Sequence, residues 1–76
     1  MNFTRDRYEG ALYIYINSIV HLVINTTELV NVRSWYISAD KDPDPYFIEL
    51  TYKTTKVICQ YDTLEKWKGV LEMLKV

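Results

Sequence analysis

The chain has 76 residues, a formal net charge of −1, one histidine and one cysteine. This length accommodates one domain, and the single cysteine and histidine exclude an internal disulfide and a Cys/His zinc cluster. The weak net charge argues against unspecific binding to DNA. A core of this size supplies only roughly 3–5 kcal/mol of stability, so assembly is the remaining support. A lone cysteine is typical of a reducing compartment. We expect a cytoplasmic protein, in the host cytoplasm if the chain is viral.

The chain begins with a charged segment that precedes an apolar body. Residues 1–10 are expected to form a flexible N-terminal arm or a short lead-in strand. Residues 11–76 are expected to form a single domain. The longest apolar stretch, residues 11–24, contains polar side chains and is too short to cross a bilayer of about 30 Å as a helix. We therefore expect no membrane span.

Three strands are predicted in the first half of the chain. β-branched and aromatic side chains dominate residues 11–17, 19–25 and 30–38, which is typical of strands. Asn17 and Ser18 are expected to form a tight turn between the first two strands. These segments are joined by connections short enough for neighbouring strands to pair in an antiparallel manner.

An acidic loop interrupts the chain at residues 39–45. Its two prolines block ladder bonding and its aspartates favour turns. Alternating carboxylates also open a calcium-binding loop, but Pro45 stands where that loop needs glycine and Thr51 where it needs a bidentate glutamate. We therefore predict no metal site and expect a solvated loop that can contact a basic target. The carboxylates are Asp40, Asp42 and Asp44.

The second half predicts a hairpin and a helix. Residues 46–52 alternate cleanly between two faces and residues 56–61 return after a turn. Asp62 and Thr63 are favourable N-caps for a terminal helix. Gly69 costs this helix about 1 kcal/mol relative to alanine, so we expect another backbone or ring to approach there. The apolar positions of the helix share one stripe, formed by Leu64, Trp67, Val70, Leu71 and Leu74.

The predicted fold is α+β, an antiparallel β-meander of four to five strands with one C-terminal helix packed on one face. Several strands are apolar at neighbouring positions, and neighbouring positions of a strand point to opposite faces of the sheet. The single helix covers only one of these two faces. We expect a second copy or a target to cover the other. Seven tyrosines also favour a binding surface. The predicted interface residues are Tyr13, Tyr15, Arg33, Trp35, Ile37, Phe47, Asp40, Asp42 and Asp44.

His21 and Cys59 are the nearest approach to a nucleophile with its base. Each lies in an apolar strand, and no small-residue turn presents either, so core packing or interface burial is favoured. Gly10 and Gly69 are the two glycines and do not form a phosphate-binding loop. We predict no catalytic residue, no cofactor and no enzymatic activity.

One resemblance rests on generic positions. The sequences Tyr15-Ile16-Asn17 followed by Ile19, Ile48-Glu49-Leu50-Thr51-Tyr52, and Tyr61-Asp62-Thr63-Leu64-Glu65 resemble small strand-strand-strand-helix proteins of phages and mobile elements. This resemblance covers about residues 12–75 and assigns no functional residue. It implies an oligomeric inhibitor of a host enzyme, or a protein that sequesters a nucleotide signal, in evasion of host defence.

The predicted function is therefore a small non-enzymatic protein-binding module that acts as a homodimer or higher oligomer. A phage-type inhibitor of a host defence protein fits this description. The alternative is an oligomeric sponge that holds a nucleotide signal at an interface lined by Tyr13, Tyr15, Arg33 and Trp35. The predicted partners are a second copy and a host protein, with a nucleotide in the alternative.

Overall fold

A computed structural model describes residues 1–75, which form six strands and one helix. Strands β1, β2 and β3 form one antiparallel sheet in that order, here called sheet A, and β4, β5 and β6 form a second, sheet B. The C-terminal helix makes the fold α+β, as predicted. The strands are β1 (Phe3–Tyr8), β2 (Ala11–Ile16), β3 (Ile19–Asn25), β4 (Leu29–Tyr36), β5 (Tyr46–Tyr52) and β6 (Lys56–Tyr61), and the helix is α1 (Leu64–Leu74).

The prediction of four to five strands in one meander is wrong, because the described chain has six strands in two sheets. The additional strand, β1, lies in the charged segment at residues 1–10 and pairs with β2. The sheets separate at the connection after β3. There the backbone N and Oγ1 of Thr26 both donate to the carbonyl of Gly10, and Thr27 donates to Oδ1 of Asn25. The connection is thus fixed to the corner of sheet A, and β4 pairs with β5.

Two tight turns join the strands of sheet A. Asn17 and Ser18 have φ angles of 52° and 67°, and Glu9 and Gly10 have φ angles of 47° and 78°. Positive φ at both central residues is the geometry of type I′ turns, whose twist matches that of paired strands. The structure therefore confirms the turn predicted at Asn17 and Ser18.

Both sheets and the helix contribute to one core. The face of each sheet that carries core residues is called its inner face, and the opposite one its outer face. Helix α1 lies against β1, β5 and β6, so it bridges the inner faces of the two sheets. The buried apolar side chains are Leu12, Ile14 and Ile24 of sheet A, Ile48, Leu50 and Tyr61 of sheet B, and Val70 of the helix.

The helix is capped and tied to β1. Thr63 is its N-cap and accepts a 3.2 Å hydrogen bond from the backbone N of Lys66. The ring of Phe3 lies so close to Gly69 that a Cβ at this position would overlap it. The structure thus confirms the close approach predicted for this glycine. At the other end, Arg5 donates to the carbonyl oxygens of Met73 and Lys75. Within residues 1–75, no helix has the length and apolar character needed to cross a bilayer.

Candidate binding surface

The outer face of sheet B carries aromatic and charged side chains in cross-strand rows. Trp35 lies opposite Phe47 in the register of β4 and β5, and Arg33 lies opposite Glu49. Glu49 in turn lies opposite Ile58 of β6. Directly opposed residues of antiparallel strands share a face, so these five side chains form one surface, called here the aromatic face.

Ring stacking and charge fix the geometry of the aromatic face. The rings of Trp35 and Phe47 are stacked, with centroids 5.1 Å apart and an interplanar angle of 7°. The guanidinium of Arg33 lies 4.8 Å from the centroid of the Trp35 ring, within cation–π range. A flat aromatic surface with a cation above it therefore lies on this side of sheet B.

Arg33 also neutralises a buried carboxylate. Its Nε is 3.3 Å from Oε1 of Glu49, whose residue is only 8% exposed, whereas the Arg33 side chain is 63% exposed. A buried carboxylate without a partner is costly, so the contact between Glu49 and Arg33 is maintained and fixes the Nε end of the guanidinium. The exposed part of Arg33 remains available to another molecule.

The acidic loop is attached to the same side of sheet B. Nε2 of Gln60 donates to Oδ2 of Asp42 at 3.1 Å and to the carbonyl of Asp44 at 3.2 Å. Gln60 lies opposite Phe47, so it belongs to the row that continues the Trp35 and Phe47 stack. The backbone N of Asp44 donates to Oδ1 of Asp42, which closes a local turn. The loop thus crosses toward β6 and leaves the free side of β4 open.

The structure brings together some of the predicted interface residues and separates others. Arg33, Trp35, Phe47, Asp42 and Asp44 meet around the aromatic face, as described above. Asp40 lies farther along the loop, is exposed and donates its backbone N to Ser38 Oγ. Ile37 follows the end of β4 and donates its backbone N to Pro45.

Tyr13 and Tyr15 lie in sheet A rather than beside Arg33 and Trp35. Both project from the outer face of β2, opposite Asp6 and Thr4 of β1. The pocket predicted from Tyr13, Tyr15, Arg33 and Trp35 is therefore not assembled around Arg33 within one copy of the described chain.

A second group of titratable side chains lies between the sheets. His21 is the extra residue of a bulge in β3, and its Nε2 is 2.8 Å from the hydroxyl of Tyr61. Burial is the main cause that lowers the pKa of His21, and the nearby Lys66 ammonium adds to it. Burial likewise raises the pKa of Tyr61 above its ordinary value, with Cys59 contributing. The imidazole and phenol are therefore both neutral near pH 7.

Cys59 does not have the environment of an activated nucleophile. Burial raises the pKa of its thiol, with partial compensation from a hydrogen bond to Tyr61. A thiol needs a lowered pKa to supply thiolate at neutral pH. In residues 1–75, His21 bonds to Tyr61 rather than to Cys59. No three His, Cys, Asp or Glu side chains of this part of the chain cluster so as to hold a metal ion.

Comparisons of the chain with protein-family models, with curated proteins and with solved structures find no match. The functional proposals below therefore depend on the geometry of this chain.

Sequence reasoning missed three residues that organise these groups. Glu49, Gln60 and Tyr61 stand in strands whose positions were predicted, but their roles depend on strand register. The sequence did contain one signal for this arrangement, because Arg33 and Glu49 carry opposite charges and lie in two consecutive predicted strands. It becomes useful only once β4 and β5 are aligned, because a shift of one residue reverses the face of every side chain.

Proposed function

We propose that this chain is a small, non-enzymatic protein-binding module that acts as an oligomer and uses the aromatic face as its contact surface. The observation that carries the proposal is the exposed Arg33 side chain, whose guanidinium lies over the Trp35 ring, which is itself stacked against Phe47. Aromatic residues and arginine dominate the energetics of protein interfaces because they offer large contact areas and several hydrogen bonds. The aromatic face provides both kinds of side chain in one place.

The acidic loop suggests the chemistry of the partner. Asp42 and Asp44 lie beside the aromatic face through their bonds to Gln60, and Asp40 extends the same loop into solvent. Three carboxylates on one loop favour a partner with lysine or arginine next to an apolar contact area. The resemblance to phage proteins extends this proposal to an inhibitor of a host protein in the cytoplasm.

The nucleotide sponge has less support from the geometry. Arg33 and Trp35 provide a cation and a stacking ring, whereas Tyr13 and Tyr15 belong to the other sheet. A nucleotide on the aromatic face would also lie close to the carboxylates of the acidic loop, which repel its phosphates. We therefore place protein recognition before nucleotide recognition.

A matched pair of charge substitutions tests the contact surface. Ile58 on the aromatic face and Val23 on the outer face of sheet A are 52% and 49% exposed, and each lies in a terminal strand of its sheet. Each is replaced by lysine, and partners are captured from the native host lysate with quantitative mass spectrometry. We expect Ile58→Lys to reduce capture at least tenfold and Val23→Lys to retain it, because the lysine stands within the proposed contact area. Equal capture by both variants would contradict the proposal.

A further inference from the structure

Strand β4 forms one edge of sheet B. Strand β4 has eight residues, six of which are exposed, and it is the longest strand in the described chain. Its ladder partner is β5, while α1 lies against β1, β5 and β6. One side of β4 therefore presents unpaired backbone groups to solvent.

The phase of the hydrogen bonds identifies which backbone groups are free. The backbone N of Ile37 donates to the carbonyl of Pro45, which sets the bonding phase of the ladder. Hydrogen-bonded pairs alternate along an antiparallel ladder, so Trp35 and Arg33 also bond toward β5. The alternate residues of β4 have their N–H and C=O groups on the opposite side, pointing away from β5. These residues are Val32, Ser34 and Tyr36.

The usual protections of an exposed edge are weak in β4. Proteins protect such edges with charges, prolines, bulges or short strands. Strand β4 contains no proline, and its one charged residue, Arg33, is paired with Glu49. Its register shift lies near the start, at Val30, and leaves residues 31–36 regular.

We propose that the β4 edge binds the β4 edge of a second copy of this chain, antiparallel and around a twofold axis at Ser34. This inference rests on the oligomeric part of the proposed function. In this register Ser34 faces Ser34 of the second copy, and Val32 faces Tyr36 of the second copy. The three free residues of each strand then exchange roughly six backbone hydrogen bonds. The product is a continuous six-stranded sheet with identical contacts from each copy.

The side chains of β4 are complementary to themselves in this register. On the inner face, the 36% exposed Val32 meets the 54% exposed Tyr36, a β-branched and aromatic pair that stabilises antiparallel sheets. On the outer face, Arg33 faces Trp35 of the second copy, so the cation–π contact seen within one chain is repeated across the axis. A register centred on Arg33 would instead oppose two guanidinium groups. Charge therefore excludes the axis at Arg33, and the Arg33–Trp35 and Val32–Tyr36 pairs favour the axis at Ser34.

A groove beside β4 gives the second copy a place to bury side chains. The groove is about 590 Å³ and opens between Val32 and Ser34 on one wall and Trp67, Leu71 and Leu74 of α1 on the other. Tyr36 of the second copy would stand beside Val32 at the mouth of this groove. The helix also carries charges along the groove, Lys68 and the ion pair of Glu72 with Lys75.

The area that a stable dimer needs sets what the second copy must cover. A stable interface buries roughly 600 Å² or more on each partner, which is about one eighth of the 5092 Å² exposed by this chain. A second copy that reaches this area would cover both the exposed residues of β4 and the helical wall of the groove. The dimer would also join two aromatic faces into one surface, with Arg33 and Trp35 of both copies at its centre.

Charge reversal at the axis tests this register. Ser34→Lys and Ser34→Glu each place two like charges face to face in a homodimer, and mixing the two variants places opposite charges there. Size-exclusion chromatography with light scattering measures the mass. We expect the wild type at twice the 9.1 kDa of one chain, each variant at 9.1 kDa, and the equimolar mixture again at twice this mass. Ser34 is exposed and its N–H faces away from β5, so neither variant removes a bond within the chain.

A second variant and the possible results keep the inference distinct from the proposed function. Ser34→Pro removes an N–H that serves only the second copy, so it should also give a monomer with an unchanged circular dichroism spectrum, while Ser34→Ala should remain dimeric. A wild-type oligomer that is insensitive to all charged variants would overturn the β4 pairing and leave the oligomeric module intact. Failure of the mixture to associate would overturn the axis at Ser34. A wild-type monomer at millimolar concentration would overturn both proposals.

Discussion

The first strands of the two sheets, β1 and β4, lie at sheet edges with very different surroundings. Strand β1 is short and charged, and it is held against the helix by Phe3 at Gly69 and by Arg5 at the last carbonyl groups. Strand β4 is longer and carries exposed apolar side chains, and an open groove separates it from α1. The helix therefore holds the edge strand β1 of sheet A, whereas the edge strand β4 of sheet B stands across a groove from it. This difference is the reason for proposing sheet B as the binding sheet.

The largest expected effect tests whether the two sheets share one core. Ile14 of sheet A and Ile48 of sheet B are both fully buried. Replacement of either by alanine should lower the free energy of unfolding by about 2–5 kcal/mol, because apolar contact is lost and a cavity remains. Urea unfolding followed by circular dichroism and by tryptophan fluorescence should give coincident transitions for both variants. Two separate transitions would mean that the sheets unfold independently.

The next prediction concerns the attachment of β1 to the helix. Gly69→Ala should destabilise the protein by about 1 kcal/mol, because overpacking against Phe3 costs about 1–3 kcal/mol and the better helix propensity returns about 1 kcal/mol. In a Phe3→Ala background the same change should stabilise the protein by about 1 kcal/mol. Urea titration of the four chains of this cycle measures the reversal. The same sign in both backgrounds would show that the Phe3 ring does not restrict this site.

The ion pair of sheet B should respond asymmetrically to truncation. Arg33→Ala leaves the buried Glu49 carboxylate without its partner and should cost about 1–3 kcal/mol. Glu49→Gln removes the buried charge and leaves a mostly exposed guanidinium that water can solvate, so its cost should stay below about 1 kcal/mol. Chemical denaturation at constant salt compares the two. A larger loss for Glu49→Gln would contradict the assignment of Glu49 as the buried member.

The smallest expected effects are those of pH on the pair between the sheets. The pKa of His21 is lowered from 6.5, so the unfolded chain binds more protons there below that pH, and stability should fall as the pH drops below 6.5. The pKa of Tyr61 is raised from 10.0, so the unfolded chain loses its proton first and stability should fall as the pH rises above 10. The melting temperature should fall less at acid pH in His21→Gln, and less at alkaline pH in Tyr61→Phe, than in the wild type. A pH dependence of the melting temperature that matches the wild type would exclude His21 and Tyr61 as its cause.

Local patterns predicted much of the fold. Alternation in residues 46–52, the capping residues before α1 and the turn at Asn17 and Ser18 all correspond to structure, because each depends on nearby residues. The separation into two sheets was not predicted. It depends on bonds between the Thr26 region and Gly10, which are distant in sequence.

The candidate surface was predictable only in part for the same reason. The aromatic side chains Trp35 and Phe47 and the acidic loop were identified from composition, and strand register brings them together. Register also places Tyr13 and Tyr15 in another sheet and buries Glu49 under Arg33. The pairing partner of each strand depends on contacts across the whole chain, so residue type alone does not determine it.

Amide hydrogen exchange along β4 tests the central claim, that this edge pairs with a second copy, most directly. Above the concentration at which the chain associates, the amides of Val32, Ser34 and Tyr36 should be protected to a similar degree as those of Arg33 and Trp35, which bond to β5. On dilution, protection should vanish at the first three positions and persist at the other two. Rapid exchange of Val32, Ser34 and Tyr36 at every concentration, with Arg33 and Trp35 protected, would contradict the claim.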